Sequence, residues 1–316
     1  MKNEFSHARF VSGVRRHRLV HAQNACAEMG IRMKFQMKAY GKINLGLDVV
    51  GKLPNGYHEV KMVMQTVGIY DELFFEKTES GIEITVDSAE LPTDENNLIY
   101  RAARLIKEKY QIREGIRIHL QKNIPIAAGM AGGSTDAAAA MKGISRMFGL
   151  DISLPELMKM GVDIGADVPY CVIGGTALAE GIGEKLTPLE PAPECYVLVA
   201  KPNINVSTKY VYEHLNLDGI EKHPDIDGMV EAIGAGSLQG ILDRMENVLE
   251  TVTIPAYPVI QDIKQRMREL GAVNSLMSGS GPTVFGIFLE KRVAQTALDR
   301  LEQEQLAKQI FVTTFC

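Results

Sequence analysis

The pattern of apolar and polar residues first becomes regular near Met33. Apolar residues occupy every second position over 43–50, which predicts a half-buried β-strand, and Pro54-Asn55-Gly56 follows as a turn. Similar short patterns predict strands at 60–67, 73–77, 82–86 and 116–121. Apolar stripes with helical spacing predict helices at 96–110, 136–147 and 154–160. The segment 171–178 is expected to be a strand interrupted by Gly174-Gly175.

A second pattern follows a cluster of three prolines at 188–193, which we expect to be a junction between two lobes. Beyond it the pattern predicts a strand at 196–200, helices at 208–215 and 229–249, a helix at 259–270 closed by Gly271, strands at 273–277 and 284–289, a helix at 292–305 and a strand at 310–314. The order strand, helix, strand, strand, helix, strand is that of a ferredoxin-like fold. The sequence therefore predicts an α+β protein with lobes at 33–187 and 188–316.

Composition narrows the class of protein. The 316 residues are 46% hydrophobic with a formal net charge of −5, which argues against a general nucleic-acid binder, and no apolar run reaches the roughly 18 residues of a membrane helix. Residues 1–32 are basic, at +4, and lack a regular pattern, so we expect a disordered extension outside the fold. The four cysteines form no Cys-x-x-Cys pair, which indicates neither a zinc site nor a disulfide framework and predicts a reducing, cytoplasmic location.

The strongest local feature is a segment rich in glycine and alanine between a predicted strand and a predicted helix. Backbone N–H groups at a helix N-terminus form an anion site, and glycines allow a phosphate to approach closely. The segment is not a P-loop, because no Gly-Lys-Ser/Thr ends it. Two interpretations stay open: a phosphate-binding loop, or an ordinary turn with Ser134 and Thr135 capping the helix. Its residues are Pro125, Ile126, Ala127, Ala128, Gly129, Met130, Ala131, Gly132, Gly133, Ser134 and Thr135.

Three weaker clusters accompany this loop. Lys42 and Asn44 share one face of the first strand, either to meet a charged substrate or as a solvated strand face. Asp167 precedes Val168-Pro169 in a loop of small residues, where a carboxylate can serve as a general base or simply cap a helix. The Gly/Ser-rich segment 278–283 is either a hairpin loop or a second loop near a bound phosphate.

Together these segments resemble the three motifs of the GHMP kinase superfamily, in the right order and at the right separations. The motifs are Ala-Tyr-Gly-Lys-Ile-Asn-Leu at 39–45, Pro-x-x-x-Gly-x-x-Gly-Gly-Ser-Thr-Asp-Ala at 125–137 and Ser-Gly-Ser-Gly-Pro-Thr at 278–283. Pro54-Asn55-Gly56-Tyr57-His58, Gly165-Ala166-Asp167-Val168-Pro169 and the segment 200–208 further resemble the members that act on a cytidine diphosphate-linked methylerythritol. The resemblance extends over 33–316.

The resemblance implies a fold with an amino-terminal lobe like ribosomal protein S5 domain 2 and a ferredoxin-like carboxy-terminal lobe. It also implies ATP-dependent phosphorylation of the 2-hydroxyl of the methylerythritol unit, in the non-mevalonate route to isoprenoid precursors, with ATP and Mg²⁺ as cofactors. We expect a small-molecule substrate, neither a nucleic-acid nor a membrane partner, and a monomer or homodimer.

The resemblance also assigns roles to residues. Lys42 and Asp167 would be the catalytic pair, Asp167 accepting the hydroxyl proton and Lys42 keeping Asp167 ionised and neutralising charge on the moving phosphoryl group. Residues 125–135 would bind the ATP phosphates. No protein metal ligand is assigned. The residues expected to bind the substrate are Asn44, Tyr57, His58, Thr208 and Tyr212, with the Tyr57 ring stacking on the cytosine and His58 hydrogen bonding to it.

One departure from the family pattern lies in the phosphate loop, where Ala127, Ala128 and Ala131 stand at positions that many relatives fill with glycine. Alanine leaves the backbone N–H groups available, so we expect the loop to keep its function. Two rival interpretations are another kinase of the superfamily, acting on homoserine or mevalonate, and a non-catalytic RNA-binding protein on an S5-like scaffold. The second predicts loss of Lys42 or Asp167 and a basic surface, neither of which the sequence shows.

Overall fold

The computed structural model describes residues 35–54 and 56–316. The predicted extension 1–32, with Cys26, and Asn55 of the predicted turn lie outside the described residues. The strands are β1 (Phe35–Lys52), β2 (His58–Thr78), β3 (Ile82–Val86), β4 (Gly115–Gln121), β5 (Thr176–Gly181), β6 (Lys185–Pro188), β7 (Tyr196–Lys201), β8 (Asn274–Met277), β9 (Val284–Phe288) and β10 (Gln309–Thr314).

Helices cover the sheets. They are α1 (Leu98–Lys109), α2 (Gly132–Phe148), α3 (Leu154–Val162), α4 (Val168–Ile173), α5 (Thr208–Glu213), α6 (Ile226–Gly234), α7 (Leu238–Leu242), α8 (Glu250–Ala256), α9 (Val259–Glu269) and α10 (Lys291–Gln303), with a 3-10 turn at Leu217–Gly219. In the described part of the chain, none of these helices combines the length and the apolar character needed to cross a membrane.

The amino-terminal sheet has six strands in the order β3-β4-β2-β5-β6, with β1 paired to β2. β1 and β2 form a long antiparallel hairpin running from Phe35 opposite Phe75 to Lys52 opposite His58. The register shifts between Tyr40 and Lys42 and again between Asn44 and Gly46. Because a bulge re-aims the side chains beside it, these shifts set the directions of the polar residues on β1.

The carboxy-terminal sheet has four strands in the order β10-β7-β9-β8, every pair antiparallel. In chain order this is fourth, first, third, second, the strand order of a ferredoxin-like fold, and α9 and α10 connect its strands. The predicted two-lobed α+β fold is therefore confirmed. The exact boundary at 188 stays a prediction; β6 ends at Pro188 and β7 begins at Tyr196.

Four predicted elements differ from the structure. The strands predicted at 60–67 and 73–77 are one strand, β2, because Asp71 interrupts the apolar pattern yet is fully buried in the sheet. The strand predicted at 171–178 is instead α4, then Gly174 and Gly175 with φ of 67° and 71°, then β5. The helix predicted at 229–249 breaks after α6, where Gly236 takes a φ of 64°.

A buried apolar cluster joins the two lobes. Ile43 and Leu45 of β1 are fully buried against side chains of the carboxy-terminal sheet, among them Phe285 and Ile287 of β9. Burying this surface holds the lobes in a fixed relation, since apolar contact is favourable by about 25 cal/mol for each Å² removed from water. The polar face of β1 is thereby turned toward the cleft between the lobes.

Candidate active site

A cavity of about 970 Å³ is lined by residues of both lobes. It brings together nearly all of the residues predicted from the sequence. The predicted residues that line it are Lys42, Asn44, Tyr57, His58, Pro125, Ile126, Ala127, Ala128, Gly129, Ala131, Gly132, Gly133, Ser134, Asp167, Thr208 and Tyr212. Met130 and Thr135 do not line the cavity: the Met130 side chain is buried in the apolar cluster between the lobes, and the Thr135 hydroxyl donates to the carbonyl of Tyr40 at 2.8 Å.

The glycine- and alanine-rich loop has the backbone shape of an anion cradle. Ala127, Gly129 and Ala131 take left-handed φ angles of 50°, 69° and 55°. Ala131 is the N-cap of α2 and makes no side-chain capping bond. The capping role considered for Ser134 and Thr135 is therefore wrong. The N–H groups of the first turn of a helix have no partner within the helix, so here they remain available to an anion.

The segment 278–283 holds this loop from the opposite lobe. The Ser278 hydroxyl donates to the carbonyl of Gly129 at 3.0 Å, and Ser280 and Thr208 join their hydroxyls at 2.8 Å. The Asn247 amide donates to the carbonyls of Met277 and Gly279, both at 2.8 Å, and so fixes the segment. Of the two open interpretations, the structure favours a second loop beside the anion cradle. Sequence reasoning did not assign Ser280 or Asn247, because their roles depend on contacts between distant segments.

Lys42 and Asn44 are buried together on the cleft side of β1. The Lys42 ammonium donates to the Asn44 Oδ1 at 2.7 Å, and the Asn44 amide lies 3.2 Å from the sulfur of Met62. Lys42 is 5% exposed and Asn44 is fully buried. The solvated strand face considered for this pair is therefore wrong. A buried ammonium needs compensating polar partners, and its place in the cavity leaves it able to act on an anionic ligand.

Asp167 stands at the N-terminus of α4, half-buried, with a side chain that makes no capping bond to the helix. The carboxylate is therefore not used as a cap and lines the cavity instead. No ion pair within 4.0 Å joins it to Lys42 in the described chain; the ammonium pairs with Asn44. Burial raises the pKa of the Tyr212 phenol, and the charge of Asp167 raises it further, so the phenol stays protonated.

Aromatic side chains line one end of the cavity. The rings of His58 and Tyr212 lie 5.1 Å apart at an angle of 38°, and the residue Tyr57 is 58% exposed. Burial lowers the pKa of His58, and the positive charge of Lys52 lowers it further. The imidazole is therefore neutral at physiological pH, with one nitrogen able to donate a hydrogen bond and the other to accept one.

Residues at the start of α1 line the cavity next to the anion cradle, where a Cβ added to Gly133 would lie 3.4 Å from Leu98. Leu91, Pro92 and Leu98 give it an apolar wall and Asn96 a polar group. Asn97 also lines it while capping α1, its Oδ1 accepting the N–H of Ile99 at 2.9 Å. Sequence reasoning missed these residues. The Asn-Asn pair before a helix is an N-cap signal, and nothing in its pattern distinguishes a cap from a ligand contact.

Known protein families match both lobes. Residues 97–175 match the GHMP kinases N terminal domain, and residues 229–308 match the GHMP kinases C terminal family. These ranges contain the anion cradle, Asp167 and the segment 278–283.

Similar proteins extend the match to most of the chain. A protein of Lachnospira eligens named 4-diphosphocytidyl-2-C-methyl-D-erythritol kinase is 54% identical over 279 residues, covering 88% of this chain and 97% of its own length. A crystal structure of 4-(cytidine 5'-diphospho)-2C-methyl-D-erythritol kinase superimposes with a TM-score of 0.77 at 31% identity, covering 89% of this chain and 99% of that one. A homoserine kinase from Cytophaga hutchinsonii superimposes with a TM-score of 0.69 at 21% identity, covering 90% and 95%, which supports the fold alone.

Proposed function

The chain belongs to the 4-diphosphocytidyl-2-C-methyl-D-erythritol kinase family of GHMP kinases, and on that premise we propose that the cavity between its lobes is the active site. The protein is a small-molecule kinase. It phosphorylates the 2-hydroxyl of 4-diphosphocytidyl-2-C-methyl-D-erythritol with ATP, giving the 2-phosphate and ADP, in the non-mevalonate pathway of isoprenoid precursor synthesis. One observation carries the assignment of the site: an anion cradle and an uncommitted carboxylate, Asp167, line the same cavity.

ATP binds with its phosphates against residues 125–134. The N-terminus of α2 supplies unpaired N–H groups and the positive end of the helix dipole. Mg²⁺ accompanies the nucleotide. Among the described residues no cluster of three or more acidic, histidine or cysteine side chains is arranged to hold a metal. Phosphate oxygens and water would supply most of the ligands of the ion, which suits the preference of Mg²⁺ for keeping several waters.

Asp167 accepts the proton of the substrate 2-hydroxyl as the hydroxyl oxygen bonds to the γ-phosphorus and ADP leaves. Lys42, held by Asn44, places a positive charge where negative charge moves during the transfer. A catalytic carboxylate that caps nothing and an ammonium fixed by one neutral partner are both free to meet the reacting groups. Positioning and electrostatic stabilisation supply most of the catalysis of phosphoryl transfer.

The aromatic end of the cavity receives the cytidine. Tyr57 offers an exposed ring for stacking, and a neutral His58 matches the donor and acceptor edge of cytosine. Thr208 and Tyr212 line the path toward Asp167. Homoserine and mevalonate carry no base, so an aromatic subsite of this kind favours the cytidyl substrate over either of them.

The charge and the thiols of the chain bear on its partners and its location. The net charge of −5 supports the absence of a nucleic-acid partner, and the free thiols of Cys171, Cys195 and Cys316 support a reducing cytoplasmic location. A monomer or a homodimer is compatible with a cavity built from one chain.

The test offers the purified protein ATP with the cytidyl substrate, mevalonate or homoserine in parallel. We expect phosphorylation of the cytidyl substrate; preference for either of the others would overturn the substrate assignment. Asp167→Asn or Lys42→Ala should lower kcat by about 10²- to 10⁴-fold while ATP still binds. Asp163→Asn and Lys159→Ala change residues outside the cavity and should turn over normally. Normal turnover in either active-site variant would sink the mechanism.

A further inference from the structure

A buried cluster of three charged groups lies beside the phosphate loop, and the mechanism above does not use it. The Lys122 ammonium, just after β4, donates to Asp71 of β2 and to Asp136 of α2, the latter at 2.9 Å. The side chains of the three residues are 7%, 0% and 3% exposed. Two carboxylates therefore share one ammonium in a space that water scarcely reaches.

The two carboxylates are not equivalent. Both oxygens of Asp71 are used, since Oδ2 accepts from Lys122 and Oδ1 accepts the backbone N–H groups of Asn123 and Ile124 at 2.5 and 2.7 Å. In Asp136 only Oδ2 has a partner, and Oδ1 is buried with none. A buried polar atom without a partner costs about 1–3 kcal/mol. A ligand that forms a hydrogen bond with Oδ1 would remove this cost.

The unpaired oxygen belongs to a residue of the cavity wall that follows the phosphate loop by one helical turn. Asp136 and Lys122 both line the cavity. A Cβ added to Gly132, the first residue of α2, would lie 2.9 Å from the Lys122 ammonium. Because side chains of a helix lean toward its N-terminus, Asp136, one turn further on, leans toward the same N–H groups that form the anion cradle.

The buried surroundings of Asp136 disfavour its ionised form. Burial raises the pKa of Asp136 well above its usual range; the Lys122 ammonium opposes this and the Asp71 carboxylate adds to it. Within the described residues these two are the charged side chains that act on the carboxyl; Asp87, which follows β3, accepts the backbone N–H of Lys122. A bound nucleotide adds further negative charge, which favours the neutral acid still more.

We propose that Asp136 binds the nucleotide as a neutral carboxylic acid, its Oδ1–H donating a hydrogen bond to an acceptor atom of ATP. The proton comes from solvent and is taken up as the complex forms. This proposal rests on the proposed function in that it takes ATP as the ligand. It makes Asp136 a nucleotide-binding residue and Lys122 and Asp71 the residues that position it.

The proton uptake determines how ATP affinity changes with pH. The carboxyl binds its proton more tightly in the complex than in the free protein, so ATP binds tightly at low pH. Affinity then falls by up to about tenfold per pH unit as the pH rises through the interval between the two pKa values.

The experiment is titration calorimetry of ATP with the full-length protein, without acceptor substrate and at fixed Mg²⁺, from about pH 6 to pH 9. Buffers of different ionisation enthalpy give the number of protons taken up. We expect wild-type protein to take up more protons than Asp136→Asn, whose amide donates the same hydrogen bond without titrating. Asp136→Asn should bind ATP as tightly as wild type at low pH and lose the pH dependence that depends on this carboxyl. Asp136→Ala, which removes the donor, should bind about tenfold more weakly.

A control variant and several contrary results decide the test. Asp163→Asn, at an exposed aspartate of the same lobe, should keep the wild-type pH dependence. Weaker binding by a folded Asp136→Asn at every pH would show that the ionised carboxylate is required and would overturn the proposal. So would proton uptake by wild type no greater than that of Asp136→Asn. Should Asp136→Asn not fold, a wild-type protein that binds ATP without taking up protons overturns the proposal by itself.

Failure of wild type to bind ATP would instead overturn the proposed function. Repeating the titration with tripolyphosphate and with adenosine identifies the acceptor as a phosphate oxygen or a nucleoside atom.

Discussion

The hydroxyl of Ser278 donates a hydrogen bond to the carbonyl of Gly129 at 3.0 Å, so the glycine- and alanine-rich loop of one lobe is held by the other. The two backbones are also packed closely here: a Cβ added to Gly129 would lie 2.1 Å from the Ser278 carbonyl oxygen. The anion cradle is therefore a joint product of the two lobes rather than a property of the glycine-rich segment.

Gly129→Ala should weaken ATP binding by at least about tenfold. The added methyl group collides with the Ser278 backbone and pushes the two loops apart, which displaces the N–H groups that we propose bind the phosphates. Calorimetric titration with ATP measures the loss. Gly149→Ala is the matched control, because Gly149 has a similar φ of 62° with nothing within 4 Å of the added Cβ. It should cost stability through backbone strain and leave ATP affinity unchanged; equal loss of affinity in both variants would refute the steric explanation.

His58→Ala should raise the KM for the cytidyl substrate much more than the KM for ATP, because the imidazole lies at the aromatic end of the cavity, away from the anion cradle. Steady-state kinetics with each substrate varied in turn give both constants. Equal changes in the two KM values would count against recognition of the base.

The pH dependence of the same constant tests the protonation state of His58. Burial and Lys52 lower the pKa of this group, so the neutral ring is present above that pKa and the KM for the cytidyl substrate should rise as the pH falls through it. Lys52→Ala removes the neighbouring positive charge and should move this rise to higher pH. An unchanged profile in Lys52→Ala would argue that another group titrates.

Gly143→Ala should destabilise the amino-terminal lobe by about 1–3 kcal/mol. Gly143 faces the ring of Phe75 across the α2–β2 contact, and an added Cβ would lie 2.3 Å from a ring atom. Gly234→Ala at the end of α6 is the contrasting variant, since nothing lies within 4 Å of its added Cβ. It should stabilise the protein by about 0.4–1 kcal/mol by reducing the freedom of the unfolded chain. Thermal unfolding of the two variants beside wild type measures the difference; a destabilised Gly234→Ala would contradict it.

The fold was predictable where local pattern and tertiary structure agree. The strands and helices from 259 to 314 lie where the sequence pattern predicts them, and the helices α9 and α10 each bury one apolar stripe. The prediction divides β2 at residues 68–72, where the apolar pattern is interrupted by the charged side chain of Asp71. Its burial depends on Lys122, 51 positions away, and no local pattern reveals such a pairing.

The site was predictable as a set of motifs and less so as a set of contacts. Lys42, Asn44 and Asp167 reach the cavity as expected. Met130 and Thr135 belong to the same continuous segment, but the turn of the loop and of α2 directs their side chains into the protein. Ser280 and Asn247 act through partners brought close by folding, so their residue types alone gave no indication.

One cavity is lined both by Asn96, at the start of α1, and by Tyr57, at its aromatic end. A single molecule can therefore occupy both ends at once. When a ligand of the Asn96 end is tethered to a cytidine analogue, binding of the second part becomes intramolecular. Its effective concentration is then in the millimolar range for a short linker. For inhibitor design, the shared chamber means that two weak fragments, one for each end, can be joined into a tight ligand without any new contact with the protein.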